Sequence, residues 1–186
     1  VLGQAYDLFI TDRKINGCTP KTLAFYNDSA GAFVRFAATT STHAAVTSVA
    51  DYGTPFFLSL QERNLSDTTR HTYWRGVRSF IRFLHAEGYV LDEVRLPKIR
   101  CPATTIKPLS HNEVKRVLRA FDTNRFTDLR NRTIVHLLID TGLRLSELVG
   151  IELPHINLEE GFIFVAGKGG KERWIPFGSS TKKLLW

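Results

Sequence analysis

Apolar residues recur at helical spacing through residues 1–90, and their pattern divides this stretch into four helices. Over residues 2–15, Ala5, Leu8 and Phe9 form a stripe that ends near Gly17. Thr19 before Pro20 reads as a hydroxyl cap followed by proline at the first helical position. The second helix, which this pair opens, turns Leu23, Tyr26, Ala30, Phe33, Val34 and Ala37 inward. The third, over residues 51–63, rests on Phe56, Phe57 and Leu60, while Gly53 and Pro55 blur its start. Ser66 or Asp67 caps the fourth, in which Tyr73, Val77, Phe80, Ile81 and Leu84 make one continuous face.

After Gly88 the pattern changes. Residues 91–108 carry Pro97, Lys98, Arg100, Pro102, Thr104, Thr105, Lys107 and Pro108, which reads as a basic, extended linker between a first domain at 1–90 and a second at 109–186. Ser110 and Glu113 stand at capping-box spacing, and Val114, Val117, Leu118 and Phe121 form the stripe expected to be buried behind them. Asp128 is expected to cap the next helix, whose centre at 134–139 is apolar nearly all round except for His136. Such a helix is expected in the middle of a core, with His136 a satisfied, buried or half-buried histidine and not a catalyst. Gly142 interrupts it, and Leu143, Leu145 and Leu148 then resume apolar spacing, placing Arg144 and Glu147 on one helical face. Two β-rich runs, 161–166 and 173–177, flank Gly167, Lys168, Gly169, Gly170 and Lys171 as a glycine-flexible hairpin tip. Thr181, Lys182 and Lys183 begin a further helix. The whole predicts a mainly α chain with a small antiparallel β-hairpin or sheet.

Composition changes this picture chiefly through charge. The 186 residues are 43% hydrophobic and 11% aromatic, enough to bury a sizeable core. Twenty-five Lys plus Arg against eighteen Asp plus Glu give a formal net charge of +7, which favours a polyanionic partner. Opposite the apolar face of the fourth helix lie Arg70, His71, Arg75, Arg78 and Arg82, with no acid between Arg70 and Arg82. Arginines so arranged suit contacts to the phosphates of a duplex. Lys21 and Thr22 at the start of the second helix, and Lys171 and Arg173 on the hairpin, are further candidates, although for the hairpin pair a solvated face ranks ahead of a direct phosphate contact. Cys18 and Cys101 fit neither a disulfide framework nor a zinc site, so a reducing cytoplasm is the expected compartment. No apolar stretch approaches the roughly 18 residues of a membrane span. The absence of Met and the ending at Trp186 read as those of a fragment.

The chemistry concentrates near Arg144 and Lys168. Arginine offers a planar fork for two non-bridging phosphate oxygens, and lysine is a mobile point charge that can donate a proton. A nucleotide P-loop needs Ser or Thr after its Lys and a helix after the loop. Here Lys168 precedes Gly169, Lys171 precedes Glu172, and a strand follows.

The consecutive order Thr141, Gly142, Leu143, Arg144, Leu145, Ser146, Glu147, Leu148, followed by the 167–173 hairpin tip and Ile175-Pro176, resembles the tyrosine recombinase (phage integrase) family. The resemblance is nearest to its Xer-like and transposon-integrase members. It implies a four-helix, SAM-like core-binding domain that clamps double-stranded DNA, followed by the N-terminal part of an α+β catalytic domain. It also implies Arg144 as the first catalytic arginine, Glu147 as its supporting acid and Lys168 as the hairpin lysine. The implied reaction is cleavage and rejoining of DNA strands through a phosphotyrosine, without metal or cofactor, by a protein that assembles as a tetramer on DNA. The chain departs from the family in having no His-x-x-Arg box. Its tyrosines, Tyr6, Tyr26, Tyr52, Tyr73 and Tyr89, all lie in the helical half, and His155 stands where the family often has an acid. The expectation is therefore a DNA-binding fragment that lacks the nucleophile, is inactive alone and is monomeric in solution. The rival readings are a non-catalytic DNA-binding protein of the same architecture and a basic RNA-binding protein.

Overall fold

The computed structural model describes residues 1–41, 43–92, 94–101, 105–167 and 170–186. The chain divides into two units, Val1–Thr105 and Ile106–Trp186. It is mainly helical, with one three-stranded antiparallel sheet.

In the first unit, α1 (Leu2–Ile15), α2 (Pro20–Tyr26), α3 (Ala32–Thr40), α4 (Val49–Glu62) and α5 (Asp67–Ala86) surround an aromatic core. Helix starts follow the local signals. Thr19 Oγ1 accepts the Thr22 amide at 3.3 Å with Pro20 just inside the helix, and Ser66 Oγ accepts the Thr69 amide at 3.2 Å. The second predicted helix is not uniform, because a π turn, Asn27–Gly31, joins α2 to α3. There Ser29 Oγ donates to the Phe25 carbonyl at 2.5 Å, and Gly76 of α5 packs against it. A Cβ at Gly76 would lie 1.8 Å from Ser29 Oγ, so only glycine permits this approach. Helix α4 begins two residues before its predicted start and contains Pro55 without ending there. Burial of Phe56, Phe57 and Leu60 offsets the cost of an internal proline, about 3 kcal/mol.

Phe9, Phe33, Phe80, Leu60, Val77 and Leu84 are fully enclosed in this core. The Phe9 ring lies 4.9 Å from Tyr26 and 5.4 Å from Phe80, in tilted and edge arrangements that aromatic quadrupoles favour. The segment read as a basic, extended linker is partly held here. Val90 is buried, and Val94, Leu96 and Ile99 pack against the same core.

The second unit contains α6 (His111–Arg119), α7 (Phe126–Thr141), α8 (Leu145–Val149), β1 (Ile156–Asn157), β2 (Phe162–Ala166), β3 (Glu172–Pro176) and α9 (Ser179–Leu185). The capping box of α6 forms as expected, but none of Val114, Val117, Leu118 and Phe121 is buried. Helix α7 starts after Arg125 without a side-chain cap, and Asp128 lies in its first turn accepting the Asp122 amide. Only Leu137 of its apolar centre is buried, so α7 borders the core instead of running through it. Gly142, left-handed at φ 65°, ends the helix. The hairpin pairs Ile163 with Ile175, Phe164 with Trp174 and Val165 with Arg173. Strand β1, which periodicity did not predict, adds to its β2 edge. Leu137, Leu143, Ile163 and Val165 form the buried cluster. Among the described residues no helix is long and apolar enough to cross a membrane.

Candidate functional site

Arg144 is the N-cap of α8, with extended backbone at φ −75° and ψ 150°, so it is not on a helical face as its spacing from Glu147 suggested. Glu147, the third helical residue, reaches back to it. Its Oε2 accepts the Arg144 amide at 2.9 Å and its Oε1 accepts Arg144 Nη1 at 3.0 Å. From β3, Arg173 adds a two-pronged contact, Nη1 to Oε1 at 2.9 Å and Nη2 to Oε2 at 3.0 Å. The Glu147 side chain is only 3% exposed, whereas that of Arg144 is 69% exposed. Glu147 is therefore an enclosed carboxylate. The Arg173 guanidinium first, then the Arg144 amide, hold its pKa down from 4.5 to about 2 against the opposing effect of burial.

Two guanidiniums on one carboxylate leave a net positive charge. Arg144 gives one of its five N–H donors to Glu147, and its exposed side can engage the oxygens of an anion. The hairpin tip closes through a 2.6 Å bond from the Gly167 amide to the Lys171 carbonyl, and Lys171 is exposed. Lys168 and Gly169 lie outside the described residues.

A second polar cluster ties α7 to α9. Asp140 Oδ2 accepts the Gly178 amide at 2.7 Å and the Thr181 hydroxyl at 2.5 Å. With that hydroxyl proton committed to Asp140, the His136 Nδ1 at 3.1 Å is assigned as the donor to Thr181. Hydrogen bonds from Thr181 and then Gly178 lower the Asp140 pKa. His136 is thus half-buried and satisfied.

On α5 the structure separates the predicted cations. Arg75, Arg78 and Arg82 are exposed, while Arg70 is half-buried and paired with Asp67 one turn earlier. Arg78 lies over the Trp74 ring at 5.0 Å, and His71 stacks on that ring at 5.6 Å. Arg75 lies over Phe25 at 5.8 Å. Trp74, Arg78, Arg82 and His85 line an open groove whose other wall includes Leu96 and Lys98. Lys21 is exposed, and Thr22 is engaged in the α2 cap.

Comparison with known sequences places this geometry. The profile of the phage integrase family matches residues 107–185. The tyrosine recombinase XerC of Oceanobacillus iheyensis is 32% identical over 185 residues, covering 96% of this chain and 60% of the relative. The chain belongs to the tyrosine recombinase (phage integrase) family. Tyrosine recombinase XerD of Vibrio cholerae is 33% identical over 124 residues, 66% of this chain and 41% of the relative. The chain thus spans about half the length of the tyrosine recombinases it matches. Its fold is that of the Tn1549 transposon integrase solved with transposon right end DNA, with TM-score 0.72 at 17% identity, covering 99% of this chain and 63% of the other. XerH site-specific recombinase bound to a palindromic difH substrate matches with TM-score 0.56 at 18% identity, covering 97% and 48%.

In this tyrosine recombinase chain, sequence reasoning missed the contact between Arg173 and Glu147. Strand alternation carried the signal. With Ile175 on the inward face, Arg173 two residues earlier shares that face, opposite the buried Val165.

Proposed function

We propose that this chain binds double-stranded DNA and carries part of the strand-cleavage site of a site-specific recombinase that works in the cytoplasm. One observation carries the reading: a buried carboxylate fixes Arg144 on one side while its guanidinium stays open on the other. Arg144 is the donor to the non-bridging oxygens of the scissile phosphate, and Glu147 holds it there. In the reaction, a tyrosine oxygen attacks phosphorus as its hydroxyl proton passes to solvent, the 3′-phosphotyrosyl bond forms, and the bond to the 5′-oxygen breaks. Lys168, by its position in the family motif, supplies the proton that the leaving 5′-oxygen takes up. The step needs no cofactor.

Residues 1–90 form the DNA-binding domain, 91–108 the basic linker and 109–186 part of the catalytic domain. Arg75, Arg78 and Arg82 contact backbone phosphates, with His71 and Trp74 beside them and Lys21, Thr22 and Lys171 as secondary contacts. Arg70, neutralised by Asp67, contributes least. This polypeptide alone forms no covalent adduct, because its five tyrosines all lie in the first unit, where Tyr6, Tyr26, Tyr52 and Tyr73 pack against the core. It is a monomer, and the whole recombinase is a tetramer on DNA.

Fluorescence anisotropy with a duplex across a salt series tests the binding half. The fall of log affinity with log salt is expected to be steep, about 0.9 per phosphate neutralised, and shallower after Arg75, Arg78 and Arg82 are changed to alanine. Identical slopes would refute the interface. In the whole gene product, Arg144→Ala is expected to cut cleavage about 10²- to 10³-fold with little loss of binding. Unchanged cleavage would leave a DNA-binding protein that merely keeps the architecture.

A further inference from the structure

Arg173 reads in the sequence as one more cation of an exposed hairpin, available to a phosphate. Its surroundings point elsewhere. Both terminal nitrogens are engaged with the two oxygens of Glu147, at 2.9 and 3.0 Å. The same oxygens take the Arg144 amide and Arg144 Nη1. The carboxylate is almost wholly enclosed, so its charge has to be compensated in place. Arg144 gives it a single side-chain bond, and Arg173 gives it two. To turn wholly to a phosphate, Arg173 would release both bonds and leave a buried carboxylate half-compensated, a costly exchange.

The backbone of the hairpin tip lies against the pair. At Gly167 an added Cβ would come within 3.1 Å of Arg173 Nη1 and 3.3 Å of Glu147 Oε1. The start of the hairpin tip therefore rests directly on the ion pair. Arg173 links β3 to the first turn of α8 across 26 residues of sequence, and a guanidinium fork fixes both the distance and the plane of its carboxylate.

We infer that Arg173 is a positioning residue: acting through Glu147, it sets the orientation of Arg144 and holds the hairpin in register with it, and it makes no contact with DNA. The inference rests on the reading of Arg144 as the phosphate-binding arginine. Lysine cannot replace Arg173, since an ammonium does not reproduce the two-pronged geometry.

The test uses this chain in wild-type form and as Arg173→Lys and Arg173→Gln. NMR follows the Glu147 carboxylate carbon through an acid titration and the Arg144 Nε–Hε resonance at neutral pH, neither of which requires DNA. Methyl resonances of Ile163 and Val165 report whether the sheet is formed. Arg173→Lys, which keeps the charge and the aliphatic stem, serves if the glutamine variant does not fold. The Glu147 midpoint is expected to rise by about 1–3 pH units in the variants, the size of shift an adjacent arginine produces. The Arg144 resonance is expected to move with it, while the salt slope of duplex binding stays at its wild-type value. Unmoved Glu147 and Arg144 signals would overturn the inference. So would a slope that falls by about 0.9, the signature of one lost phosphate contact. If the wild-type chain binds no duplex, the DNA reading fails, and the two NMR signals still decide what Arg173 does.

Discussion

The two units are held together by different physics. In Val1–Thr105, rings and branched side chains from all five helices meet in one enclosed core, and the candidate DNA-facing arginines lie outside it. In Ile106–Trp186, the buried apolar cluster is small, and two carboxylates join elements distant in sequence: Glu147 links α8 to β3, and Asp140 links α7 to α9. In the first unit the candidate DNA-facing cations are separable from stability, because they lie outside the core. In the second they coincide, because the carboxylate that fixes Arg144 is also a tie between strand and helix.

The largest effect expected from breaking this contrast is in the apolar core. Phe80→Ala is expected to cost about 3–5 kcal/mol of stability, measured by urea unfolding. A cost below that range would mean the first unit owes less to its core than its burial suggests. Next comes Asp140→Ala, which leaves the Gly178 amide and the fully buried Thr181 hydroxyl without their acceptor. The loss is expected to be about 1–3 kcal/mol, with faster hydrogen exchange in α9. Unchanged protection of α9 would remove Asp140 from the account.

Acid sharpens the comparison further. The folded-state pKa of Glu147 is lowered to about 2, so the unfolded chain binds that proton more readily. The stabilisation is present above the ordinary value of 4.5 and is lost as pH falls from there towards 2. The groups facing this carboxylate are the guanidiniums of Arg144 and Arg173. Glu147→Gln is expected to flatten the acid dependence of unfolding in this window. An identical acid profile would refute the coupling. The smallest expected effect concerns the first unit's surface. Arg78→Ala or Arg82→Ala should lower the salt slope of duplex binding by about 0.9 each while changing stability by less than about 0.5 kcal/mol. Arg70→Ala should leave the slope unchanged, because Asp67 already neutralises that arginine.

Much of the fold could be read from local signals. The caps at Thr19, Ser66 and Ser110 and the stripe from Tyr73 to Leu84 each depend on residues within a turn or two, and these three helices start where their caps predict. The hairpin was legible because glycines separate two β-rich runs. Less legible was how far α6 and α7 would be covered. Apolar periodicity marks a face able to be buried and does not supply the partner. The strap at Val94, Leu96 and Ile99 shows the converse, since scattered apolar residues in a proline-bearing segment found a core to cover.

For the candidate site, the sequence by itself determined which charged groups were present and that Arg144 and Glu147 lie close together, because they stand three positions apart in the chain. Only the tertiary structure decided that Glu147 is enclosed and that Arg173 completes its coordination. The reason is one of range. Caps and stripes are short-range consequences of backbone geometry, whereas the meeting of Arg173 with Glu147 requires strand register, the α8 start and the exclusion of water from one carboxylate to be satisfied at once.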